Sequence, residues 1–377
     1  MLAKTPPMGF NTWNTFGTNI SDAMIRETAD AMVSTGLSAA GYEYLVIDDC
    51  WSEYDRDPKT DRIVPHKEKF PNGMKTVADY VHSKGLKFGM YSCAGVRTCA
   101  DYPGSFDHEY TDAETFADWG VDFLKYDYCF RPDTENGPML YRKMGMALRA
   151  CGRDILYSAC NWGSDDVWSW IRSTGAQMYR STGDINDSFE SFKNIALSQI
   201  SKLGTSAPYC FNDVDMLTVG MYGKGNVGAK GCDDTDYKTQ FALWCMFSAP
   251  LMVGCDIRSI SPAALALLTN KELIAIDQDI EGRPAFIVTE HPWNRDCKVL
   301  AKHLGGNELA LMFVNLSEGD AKVPFYFSDL GMPASAGYGL TMKNIFTGEV
   351  TDEKRDYIAP AVKKHDCVVY RCKFIKK

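Results

Sequence analysis

No stretch of this 377-residue sequence reaches the roughly 18 consecutive apolar residues that a membrane-spanning helix needs. No membrane span is therefore expected. Positive charge is not in excess: 40 Lys and Arg face 49 Asp and Glu, a formal charge of -9. That balance disfavours nucleic acid and anionic membrane surfaces as partners. Histidine is scarce, with six residues, and none of the 13 cysteines falls in a CxxC or a Cys/His cluster of zinc spacing. No metal site and no cofactor are expected. No glycine-rich phosphate cradle follows a strand. Residues 1–7 (MLAKTPP) lack the apolar core of a secretory signal. The cysteine count is odd, and Cys160, Cys210, Cys245 and Cys255 lie in apolar segments. The expectation is a cytoplasmic protein with buried free thiols and no disulfide framework. No repeat, low-complexity stretch or linker stands out.

The chain is 45% hydrophobic, ample for a large core and too long for one domain of usual size. Residues 121–129 organise the first part. Val121, Phe123 and Leu124 are spaced as in a strand buried on both faces, and Lys125 and Asp127 arrive at its end. Charges closing a buried strand are costly unless paired or functional. Two apart, they point the same way, and the cation is expected to lower the Asp127 pKa and keep it ionised. From this stretch alone a structural ion pair is an equally good reading.

The same signature recurs. Strands are expected at residues 8–13, 43–49, 86–91, 121–129, 155–159, 176–179, 209–211 and 249–254. Helical periodicity separates them at 21–35, 74–84, 112–119, 140–151, 167–172, 189–203 and 237–247, with 263–268 and 272–276 closing the series. Eight alternations in residues 1–283 predict a (β/α)8 barrel, of the α/β class. Short β runs with Gly, Asp, Asn and Ser turns fill residues 284–377, which predicts a C-terminal antiparallel β-sandwich domain packed on the barrel.

Barrels carry their working residues at the C-terminal strand ends. Here those ends hold Trp13, Asp48, Asp49, Tyr91, Lys125, Asp127, Cys160, Trp162, Arg180, Asp184, Asp213 and Asp215. Singly, each has a plain structural reading as a cap, an ion pair or a core aromatic. Together they predict an acidic mouth with aromatic walls, suited to sugar hydroxyls and to the C–H face of a pyranose. Two carboxylates flanking one sugar are the machinery of glycoside cleavage. Asp127 is the expected nucleophile. Asp184, on a loop after Gly183 with fewer cations nearby, is expected to have a raised pKa and to act as the acid.

Five ordered motifs carry a resemblance: residues 7–14 (PMGFNTWN), 44–51 (YLVIDDCW), 115–127 (TFADWGVDFLKYD), 179–185 (YRSTGDI) and 212–216 (NDVDM). They resemble glycoside hydrolase family 27, the clan D α-galactosidases and α-N-acetylgalactosaminidases, over residues 5–282. The tail is similar to the family's C-terminal sandwich. The resemblance implies Asp127 as nucleophile and Asp184 as acid/base. It implies Asp48 and Asp49 on the O4 and O6 hydroxyls and Lys125 on O3 and O4. Arg180, Cys160 and Trp162 would surround O2, with Trp13, Tyr91 and Met216 as pocket wall and Asp215 behind the acid/base. Cys99 and Cys129 match a disulfide pair of the family.

The sequence also departs from the pattern. Phe10 and Phe211 stand where the family usually has Trp, and Val214 where it has Pro. Cys50 matches a half-cystine of secreted animal members, but Thr18 replaces its partner, so Cys50 is expected free. The loop 221–234 is longer and richer in glycine than usual and is read as part of the leaving-group side. Asn161-Trp162-Gly163 is similar to the galactosidase pattern, and Asp49 disfavours sugars lacking a C6 hydroxyl. The expectation is a retaining exo-α-galactosidase acting on galactose-containing oligosaccharides or glycans. An α-N-acetylgalactosaminidase, a transglycosylase and a catalytically silent galactose-binding barrel are the alternatives. A homo-oligomer is compatible with the sequence.

Overall fold

Short apolar runs that end in polar residues form the first eight strands of the computed structural model, which describes residues 2–377. They are β1 (Met8–Asn11), β2 (Tyr44–Val46), β3 (Lys87–Cys93), β4 (Phe123–Asp127), β5 (Leu156–Cys160), β6 (Met178–Arg180), β7 (Phe211–Asp213) and β8 (Leu251–Val253). All neighbours are parallel, in the order β7-β6-β5-β4-β3-β2-β1-β8. The remaining seam is bridged just beyond β7. The Leu217 N–H donates to the Met252 carbonyl at 2.8 Å, and the Gly254 N–H donates to the Leu217 carbonyl at 3.0 Å. The ring is thus a (β/α)8 barrel, and every strand C-terminus opens at one mouth.

The helices are α1 (Trp13–Phe16), α2 (Asp22–Ser34), α3 (Gly73–Ser83), α4 (Glu109–Trp119), α5 (Gly137–Ala150), α6 (Phe189–Gln199), α7 (Asp234–Met246), α8 (Pro262–Leu268) and α9 (Lys271–Asp277). Their starts follow capping chemistry. Ser21, Asn136 and Ser188 accept from the backbone of Met24, Met139 and Ser191. Asp233 and Asp236 form a capping box on α7. From Asp236 to Met246 nearly every residue of α7 is buried, because the helix packs on the barrel on one side and on the C-terminal sheet on the other.

Several elements differ from expectation: Trp13, expected in the first strand, opens α1, and the fourth and eighth strands start two residues late at Phe123 and Leu251. The helix expected over 167–172 is a pair of 3-10 turns, Ser164–Ser169 and Ile171–Thr174. Asp165 and Asp166 sit at φ 56° and 50°, which breaks any α-helical path there. The helix after Ser188 ends at Gln199 and continues as a 3-10 turn, Ile200–Thr205. The seventh strand starts two residues late, because Tyr209 at φ 70° belongs to a turn closed by Cys210 N–H on the Ala207 carbonyl.

The C-terminal strands are β9 (Phe286–Glu290), β10 (Cys297–Leu304), β11 (Glu308–Asn315), β12 (Ala321–Lys322), β13 (Phe325–Tyr326), β14 (Tyr338–Asn344), β15 (Val350–Glu353), β16 (Tyr357–Ile358), β17 (Ala361–Val362) and β18 (Cys367–Lys376). Six form one antiparallel sheet, β15-β14-β18-β11-β10-β9, and the ribbons β12-β17 and β13-β16 complete the sandwich. Alternation divides the sheet's two faces. Val299, Leu311 and Phe313 join the sandwich core. Leu300, Ala310, Met312 and Val314 join the core of the barrel. The sheet is apolar on both faces because both are covered.

Candidate active site

Strand register brings the polar ends together. Tyr91 pairs with Lys125 between β3 and β4, Cys160 with Arg180 between β5 and β6, and Arg180 with Asp213 between β6 and β7. One cavity opens at this mouth. Its walls include Trp13, Asp48, Asp49, Tyr91, Lys125, Asp127, Cys160, Trp162, Arg180, Asp184, Asp215 and Met216. Cys99 stands on the same wall. Its sulfur is bonded to that of Cys129, with the Cα atoms 5.1 Å apart, so the loop after β3 is tied to the end of β4. Cys50 is a free, buried thiol.

Two hydrogen-bonded groups of charges face each other in this cavity. In the first, Asp48 Oδ2 accepts from Lys125 Nζ at 2.8 Å and from Asn11 Nδ2 at 2.6 Å. Burial alone would lower the Lys125 pKa, but the charge of Asp48 outweighs it and the ammonium is held firmly protonated. Asp49 accepts from the backbone N–H of Cys50 at 2.7 Å and of Ala100 at 3.0 Å. Ala100 neighbours Cys99, so the disulfide loop also fixes this carboxylate. Asp127 accepts from the Tyr91 hydroxyl at 3.1 Å and from the Tyr128 N–H at 2.9 Å.

In the second group, the Arg180 guanidinium bridges Asp184 at 2.7 Å and Asp215 at 2.8 Å. Asp215 in turn accepts from the Ile185 N–H at 2.6 Å, which pins the loop carrying Asp184. Asp215 adopts φ 82° and Trp162 φ 60°, both rare for residues with a side chain. Such strain persists only where the surroundings enforce it, and it gathers at working sites.

The electrostatics reverse the sequence expectation for both acids. Asp127 is raised to about 6. Burial is the largest cause, and neighbouring Asp48 adds to it, so the favourable Lys125 charge is outweighed. Lys125 spends much of its charge on Asp48, which it contacts directly. Asp184 is instead held below the ordinary carboxylate range. The pocket wall desolvates it and pushes it up, but the Arg180 charge and hydrogen bond prevail. Desolvation is the largest single cause, but the Arg180 charge and hydrogen bond together, with Lys125 adding, outweigh it. The sequence showed Arg180 but not that its fork would turn back four residues onto Asp184.

Three further residues line the cavity: Asn14, Ile185 and Val227. Asn14 lay inside a quoted motif, and its buried Nδ2 has no partner among the described residues. Val227 belongs to the loop 221–234, which sits on α1 through Val227 N–H to the Asn14 carbonyl at 3.0 Å. The extra length of that loop was its only sequence signal. Asp213, which accepts from the Asp215 N–H at 2.8 Å, is raised to about 6 by burial and supports the second group from behind.

The model of the family described as alpha galactosidase A matches residues 5–279. That of the alpha galactosidase C-terminal beta sandwich domain matches residues 294–372. The chain belongs to the α-galactosidase family. It is therefore a glycoside hydrolase of family 27. It is 41% identical over 370 residues to an α-galactosidase of Coffea arabica, covering 98% of this chain and 94% of that one. The solved structure of α-galactosidase I from Mortierella vinacea superposes with a TM-score of 0.90 at 29% identity, covering 100% of this chain and 98% of that one. The α-galactosidase of Saccharomyces cerevisiae solved with raffinose gives 0.85 at 26% identity, covering 99% and 98%.

Proposed function

We propose that the chain is a retaining exo-α-galactosidase that releases terminal α-galactose from oligosaccharides of the melibiose and raffinose type. The observation that carries this reading is that Asp127 and Asp184 open into a single cavity, each next to a cation and beside the acidic pair Asp48 and Asp49. The relatives named above, one of them solved with raffinose, support the sugar and its linkage.

In the first step an Asp127 oxygen attacks the anomeric carbon while Asp184 gives its proton to the departing glycosidic oxygen. In the second, Asp184 takes a proton from water, which attacks the same carbon and frees Asp127. Net retention follows from the two inversions. Asp127, though raised to about 6, is mostly ionised at neutral pH as a nucleophile must be, but the lowered Asp184 lacks the proton that it has to give. The substrate corrects this. A sugar hydroxyl that accepts from Arg180 takes the guanidinium away from Asp184, and the leaving group shields that carboxyl from water; both raise its pKa. Arg180 keeps Asp215 as its counter-charge throughout. Asp48 and Asp49, fixed by Lys125, Asn11 and the backbone, accept from the sugar's hydroxyls. The large Trp162 beside Cys160 favours galactose over its N-acetylamino analogue.

Proton NMR of the first-formed sugar tests the mechanism: α-galactose should appear first and mutarotate later. Initial β-galactose would remove Asp127 as nucleophile. Nitrophenyl α-galactoside should be turned over faster than its N-acetylgalactosamine counterpart, and the opposite preference would overturn the substrate assignment.

A further inference from the structure

A second depression adjoins the catalytic cavity and shares two of its walls, Trp162 and Asp184. It runs from there along one face of α6, where Ser191, Asn194 and Ser198 follow at spacings of three and four residues. Lys202 closes its far end, with Nζ over the Trp168 ring at 4.3 Å. The floor is polar. Among the described residues the Asn194 and Glu190 side chains make no hydrogen bond or ion pair. Its charged lining residues are two acids, Asp184 and Glu190, and one base, Lys202, so the groove suits an uncharged polyhydroxyl ligand better than an anion.

Trp162 marks the junction. Its indole is 37% exposed although its backbone is held at φ 60°. The next residue is tightly packed: a Cβ on Gly163 would lie 2.6 Å from the Ser181 carbonyl. Tyr128 props the indole edge-on at 6.2 Å. A large apolar face kept in water by a strained, supported turn is a platform for a ligand. The acid/base must lie within hydrogen-bond reach of the glycosidic oxygen, so the leaving group departs along Asp184, which is where the groove begins.

We propose that this groove is a leaving-group site for several sugar units, with Trp162 stacking the first and the α6 face hydrogen-bonding those beyond. The proposal rests on the galactosidase reading and assigns its substrate class: galactose borne on a neutral oligosaccharide chain rather than on a single sugar. Contacts remote from the reacting carbon then lower the barrier through binding energy.

The test is a length series. Melibiose and galactosylated manno-oligosaccharides with leaving groups of two and four sugars are compared, with nitrophenyl α-galactoside as reference. For the wild-type enzyme kcat/KM should rise about tenfold or more from the shortest to the longest, equivalent to about 1.4 kcal/mol. Ser198→Trp and Asn194→Trp, both on the exposed face, should each flatten the rise by filling the groove. A wild-type enzyme indifferent to length, or a rise that survives both variants, would overturn the proposal. No turnover of the nitrophenyl substrate would instead bring down the galactosidase reading, and the groove with it.

Discussion

Charge is buried in two regions of this molecule, and the two treat it differently. At the seam between barrel and C-terminal sheet, Lys302 reaches from the barrel-facing side of β10 and is fully buried. Its Nζ donates to the carbonyls of Cys245 at 2.9 Å and Ile276 at 2.5 Å. These lie in the last turns of α7 and α9, the negative ends of both helix dipoles. Asp277 is buried nearby, with Oδ1 unpartnered among the described residues and Oδ2 accepting from Gln278. Burial pushes Lys302 down and Asp277 up. At the barrel mouth burial likewise raises Asp127, Asp49 and Asp215, but these face a cavity. At the seam Lys302 is held by two backbone carbonyls, and neither it nor Asp277 lines the mouth cavity. At the mouth Asp127 and Asp49 line the open cavity. A buried charge alone therefore does not mark a site; a buried charge at a cavity wall does.

The comparison breaks first at Asp127. Asp127→Ala should lower kcat by about 10⁴-fold or more, as loss of a covalent nucleophile does, while circular dichroism stays native. Turnover near the wild-type rate would return Asp127 to the seam's class of structural charges. Asp184→Ala should cost about 10²- to 10⁴-fold on melibiose and far less on nitrophenyl galactoside, whose leaving group needs no proton. An equal loss on both substrates would contradict the acid role.

Lys302→Ala should leave catalysis at the mouth alone and destabilise the fold by about 2–4 kcal/mol, because two helix ends lose their donor and a cavity opens. Urea unfolding measures it, and a loss under about 0.5 kcal/mol would show that the seam charge does not hold the domains together. The smallest effect has the opposite sign. An acid raised from about 4 to about 6 lends its full stability below the unfolded value and loses it as pH climbs through the folded one. Ionised Asp127 therefore costs stability at neutral pH. Asp127→Asn should gain about 1–3 kcal/mol at pH 7, and the gain should fade as pH falls to about 4. A pH-independent gain would mean that packing, not charge, is responsible.

Much of the site was legible because the barrel turns strand ends into neighbours. Lys125, Asp127 and Arg180 each close an apolar run, and that pattern can be read without coordinates. The acids' protonation could not be read in the same way. It depends on Arg180 bending back to Asp184 and on Lys125 choosing Asp48, which are matters of side-chain direction. The 3-10 crossover after β5 was hidden because Asp165 and Asp166 take left-handed conformations that composition does not announce. Asn14 and Val227 were missed since each reaches the cavity through the packing of one loop on another.

The amino-acid order by itself determined the alternation of strand and helix, the all-β tail and the acids that would crowd one rim, because burial periodicity and capping are local. Only the folded chain decided which cation serves which carboxylate, where the second groove runs and how the sheet's far face is covered. Those outcomes depend on distances between segments far apart in sequence, and electrostatic and packing energies change steeply over a few ångströms.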